Sequence, residues 1–80
     1  MFPKQIEEFL IKNEFEPKGE DEFFNERCSI VYHKEKHKTK FVGFYEFKFE
    51  DGSIFSRDEN IYYLIGVLTY YNLINKNYKT

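Results

Sequence analysis

Apolar residues recur at two different spacings along this chain of 80 residues. Near the N-terminus Ile6, Phe9 and Leu10 follow an i, i+3, i+4 pattern opposite Glu7, Glu8 and Lys12. That spacing predicts an amphipathic helix, opened by Pro3 and closed near Asn13, with Pro17 and Gly19 enforcing the break. Residues 14–22 read as an acidic connector in which Phe15 is the core contact. From about Asn25 to His33 the period changes to two, with Cys28, Ile30 and Tyr32 on one face of a predicted strand. In Lys40–Glu50 the alternation is stronger. Phe41, Gly43, Tyr45, Phe47 and Phe49 point one way, and Val42, Phe44, Glu46, Lys48 and Glu50 the other.

Asp51-Gly52 predicts a two-residue type I′ hairpin turn, which sets Phe49 opposite Ile54 and Lys48 opposite Phe55. Ser56-Arg57-Asp58-Glu59 matches a capping box, and Asp58 is an equally good N-cap for a second helix running to about Asn75. The predicted order is α-β-β-β-α. It describes one small α+β domain over residues 1–80, a three-stranded antiparallel sheet packed by helices mainly on one face.

Composition explains how so short a chain builds a core. Ten Phe and seven Tyr dominate the 41% hydrophobic content, and each aromatic buries a large area. Ala is absent and Lys, Asn, Ile and Phe are abundant, as in a gene under AT-rich codon bias. The single cysteine, Cys28, cannot form an internal disulfide, which favours a reducing interior. The start of the chain has no apolar run of signal-peptide length, and the uncharged stretch Asn60–Asn75 is too short to span a bilayer. A cytoplasmic protein without a membrane contact is expected.

Candidate chemistry is sparse. His33 and His37 in HKEKH share only the histidine spacing of the zinc-protease motif, lack its glutamate, and lie between strands, so no metal site is predicted. No serine sits in a nucleophile elbow, and there is no glycine-rich phosphate loop. Neither a cofactor nor an enzymatic activity is expected from these residues.

Charge and the last helix change the picture more. The net charge is −2, but residues 7–26 carry −6 and residues 34–40 carry +3. Lys34, Lys36, His37, Lys38 and Lys40 therefore form a basic hairpin tip that fits phosphates. On the second helix Ile61, Leu64, Ile65, Leu68 and Tyr71 make a core stripe, while Tyr63, Val67, Tyr70 and Ile74 make another without any charge between.

The leading expectation is a non-catalytic protein-binding protein using Tyr63, Val67, Tyr70 and Ile74, with Glu20, Asp21 and Glu22 as an acidic surface for a basic target. In size, charge and codon usage the chain resembles the small acidic proteins of phages and mobile elements, anti-CRISPR proteins among them. That resemblance implies an inhibitor of a host defence or nucleic-acid-processing enzyme or ribonucleoprotein, and it assigns no residue. The alternatives are a small RNA- or DNA-binding module acting through the basic tip, and a homodimeric structural or regulatory protein.

Overall fold

The computed structural model describes residues 1–74. Seven elements follow in order: α1 (Lys4–Lys12), β1 (Glu16–Pro17), β2 (Glu22–Phe24), β3 (Cys28–His37), β4 (Lys40–Phe49), β5 (Ile54–Asp58) and α2 (Ile61–Tyr70). The α+β class stands, but the sheet is a five-stranded antiparallel meander in the order β1-β2-β3-β4-β5, not a three-stranded one. The two extra strands come from the acidic connector and the residues just after it. They are too short to show alternation, and Pro17 is tolerated in β1 because β1 is an edge strand. What recruits β2 is Phe23, which pairs with Ile30 and is buried against Phe2 at a ring distance of 5.0 Å.

The long hairpin β3–β4 pairs without a break from Cys28↔Phe49 to His37↔Lys40. The segment from His33 to His37, expected between strands, is thus the end of β3. Its polar composition hides the strand, because pairing here is imposed by β4 and not by a buried face. One face of the sheet, termed inner, carries Phe23, Ile30, Tyr45 and Phe47 beneath the helices. On that face α2 lies over β4 and β5, and α1 beside β1.

The turn after β4 differs from the type I′ expectation. Gly52 has φ +88 while Asp51 keeps a negative φ; Gly52 N–H donates to Phe49 C=O, and Phe49 N–H to Ser53 C=O. This is a three-residue loop with a glycine bulge, held by Asp51 Oδ1 accepting from Ser53 N–H and Oγ–H. The added residue shifts the register: Lys48 faces Ile54, and a second irregularity between Phe47 and Lys48 turns Phe55 inward against Phe47 and Phe49.

Both helices end alike. In α1 Glu14 takes φ +67, and Phe15 N–H reaches back to Leu10 C=O. In α2 Asn72 takes φ +58, and Leu73 N–H reaches Leu68 C=O. Each is a Schellman closure whose following apolar residue folds back on the last turn, which is how Phe15 and Leu73 reach the core. The start of α2 is capped by Asn60, whose side chain accepts from Tyr62 and Tyr63 N–H, so neither Ser56 nor Asp58 is the cap. Asp58 instead accepts from Asn60 N–H. The helix stops at Tyr70, short of the expected Asn75, which lies outside the described residues.

Candidate protein-binding surface

The 3.6-residue period of α2 turns Ile61, Leu64, Ile65 and Leu68 into the core and leaves the remaining positions outward. Tyr62, Tyr63, Tyr70 and Tyr71 are 54%, 63%, 82% and 56% exposed. With Gly66 and Val67 they line a shallow groove of about 430 Å³. Gly66 lies four residues after Tyr62, three after Tyr63 and four before Tyr70, so the rings stand around it as helix-surface neighbours. A side chain at 66 would project into open space, so the missing Cβ leaves a notch between the rings. Tyr71 packs edge-on against Tyr70 at 5.1 Å and Phe55 at 5.5 Å, which extends the apolar surface onto β5. No charged residue lines the groove.

The other expected contact residues are distributed differently. Ile74 is buried in the core, because the Schellman turn at Asn72 takes the chain off the helical path that placed Ile74 beside Tyr70. Glu20 is exposed, and Asp21 accepts an ion pair from the N-terminal ammonium at 3.3 Å. Glu22 lies half-buried in β2 opposite Val31. These acids stand at the β1–β2 side of the sheet, across it from α2, so they do not join the tyrosines in one site. Lys34 and Lys36 sit on the inner-face side of β3 beyond the Tyr32–Tyr45 pair, Lys38 in the turn with φ +58, and Lys40 opposite His37 on the outer-face side.

A cluster on the outer face was not visible as a candidate in the chain. Glu46 is buried although no helix covers it; Oε2 meets Arg57 Nε at 2.8 Å, and Oε1 meets His33 Nε2 at 3.2 Å. His33 stacks on its cross-strand partner Phe44 at 5.1 Å, and the Arg57 guanidinium stands 5.8 Å from the same ring. The signal was the Phe44/Glu46 spacing on one face of β4, but the partners are set by register with β3 and β5. With both oxygens engaged, this carboxylate pins three strands together.

Cys28 borders a cleft of about 580 Å³ with Arg27, Phe49, Asp51 and Leu73. Burial pushes its thiol up to about 11, outweighing the Arg27 charge and the hydrogen bond to Asn25 Oδ1, so it stays protonated and unreactive near neutral pH. Among the described residues no group of three or more His, Cys, Asp or Glu side chains comes together as a metal site, and no helix is long and apolar enough to cross a membrane. Compared with known proteins, the chain matches no family model, no curated protein and no solved structure.

Proposed function

We propose that this chain is a non-catalytic protein-binding protein that engages a folded partner through the tyrosine face of α2. The carrying observation is the uncharged groove around Gly66, walled by four exposed tyrosines. Tyrosine combines a rigid apolar ring with one polar end and is enriched at the anchor points of interfaces. At roughly 200 Å² per ring, the four expose on the order of 500 Å², more than half of the roughly 800 Å² each partner brings to a standard interface. An uncharged lining favours a protein surface over nucleic acid, whose phosphates require cations.

On this reading the protein acts by occupying a surface of its target, as an inhibitor does. The lone buried Cys28 suits the reducing cytoplasm. The test is affinity capture from RNase-treated lysate, with wild type and Tyr63→Ser/Tyr70→Ser run in parallel. A stoichiometric protein retained by wild type and lost by the folded variant supports the reading. Equal capture by both, or recovery of the chain alone, removes it.

A further inference from the structure

We propose that the free end of the β3–β4 hairpin is a duplex-DNA contact that enters the major groove. This surface is separate from the tyrosine face and does not depend on it. Past the Tyr32–Tyr45 pair the two strands continue for five cross-strand pairs, from His33↔Phe44 to His37↔Lys40. At about 3.4 Å per residue that is a two-stranded ribbon of roughly 17 Å. The major groove is about 12 Å wide and 8.5 Å deep and admits such a ribbon, so the reach is sufficient.

Charge selects the occupant. Residues 34–40 carry +3, and subtracting that from the chain's −2 leaves −5 on the remainder, so among the described residues this end is the basic pole, the part that favours a polyanion. The lysines are not confined to one side. Lys34 and Lys36 project on the inner-face side, Lys40 lies on the opposite side, and Lys38 occupies the turn. Glu35 shares the side of Lys40, so Lys34, Lys36 and Lys38 make the stronger phosphate contact and Lys40 the contact with the other wall of a groove. A ribbon lying on a flat acidic surface uses only one side. Between the lysines Phe41 is 63% exposed, with Lys34 Nζ 4.9 Å from its ring, and offers an apolar contact for thymine methyl groups.

A single strand is a poorer fit, because it needs a stacking platform. Phe41 is one exposed ring with Lys34 Nζ already 4.9 Å from it, and Phe44 is flanked by His33 and Arg57, so this end offers one open ring and not a row of them for successive bases.

The experiment is fluorescence anisotropy of a short labelled DNA duplex titrated with the full chain at several salt concentrations. Four phosphate contacts predict a slope of log K against log salt of about −3.6, a weakening of roughly a hundredfold between 50 and 200 mM. Lys36→Glu/Lys38→Glu should lower affinity at the lowest salt at least tenfold and flatten the slope by about 2. Lys36→Gln/Lys38→Gln is the second variant, should charge reversal perturb folding. The proposal is overturned by absence of salt-dependent binding, by an unchanged slope in both variants, by tighter binding of the single strand, or by equally effective displacement with polyglutamate.

Discussion

The ring of Tyr32 lies directly across Gly43, one strand over and displaced along the hairpin from its register partner Tyr45. Gly43 is the only residue type that leaves this space, since a Cβ there would coincide with the Tyr32 phenol. The glycine thus trades strand propensity for a ring that closes the top of the inner face beside Tyr45, 4.8 Å away. Gly43→Ala is expected to cost about 1–3 kcal/mol by overpacking. Combining it with Tyr32→Leu should recover part of that loss, a coupling that urea denaturation of the two single variants and the double variant measures.

Glu46 makes a related prediction on the outer face. Removing Arg57 leaves a carboxylate that is 7% exposed and still in hydrogen-bond contact with His33, while Arg57 itself is 56% exposed. Arg57→Ala should therefore destabilise by about 1–3 kcal/mol, below the 3–5 kcal/mol of a fully buried pair. Glu46→Leu/Arg57→Ala should be closer to wild type than Arg57→Ala alone. Chemical denaturation of the pair decides it, and equal stability of the two variants would contradict the pinning role.

Alkaline pH should expose the buried thiol. Burial raises Cys28 from its ordinary 9.0 to about 11, so the folded state holds the proton more tightly than the unfolded chain. The Cys28 contribution is complete below about pH 9 and is lost as pH rises towards 11. Tyr45, raised chiefly by burial, works in the same direction. Thermal melts across this range should show wild type losing stability relative to Cys28→Val as pH rises, and a constant difference would show that the thiol does not contribute. Thiol reagents at neutral pH should label Cys28 only on unfolding.

The two stripes expected on α2 exchange members in the structure: Tyr71 is exposed with Tyr63 and Tyr70, while Ile74 is buried in the core. Tyr63→Ser and Tyr70→Ser change exposed residues and should shift stability by no more than about 0.5 kcal/mol. Ile74→Ala empties a buried site and should cost about 2–5 kcal/mol. Unfolding of the tyrosine variants in the same denaturation assay would move those rings from surface to core.

Glu14 occupies a left-handed position that glycine adopts without strain. Glu14→Gly should stabilise the domain by about 0.5–1 kcal/mol, seen as a raised melting temperature. A lowered one would mean that Glu14 makes compensating contacts in the folded state.

Much of this architecture is legible in the chain, and the residues show why. Ile6, Leu10, Ile61, Leu64 and Leu68 fall at helical spacing, and Tyr45 and Phe47 at strand spacing, because burial of one face forces those periods whatever the partner. Phe15 was legible as a core residue from its isolation among charges. The positions decided only by tertiary structure are those whose environment comes from another element. Glu22–Phe24 is a strand because Ile30 stands beside it, and His33–His37 because β4 pairs with it.

Glu46 is buried because Arg57 and His33 arrive from neighbouring strands, and Ile74 because Asn72 turns the chain inward. Local sequence carries the period of an element and the identity of its apolar side. Which surface remains open is a property of the packed whole, and here that leaves the tyrosines of α2 and the lysines of the hairpin exposed.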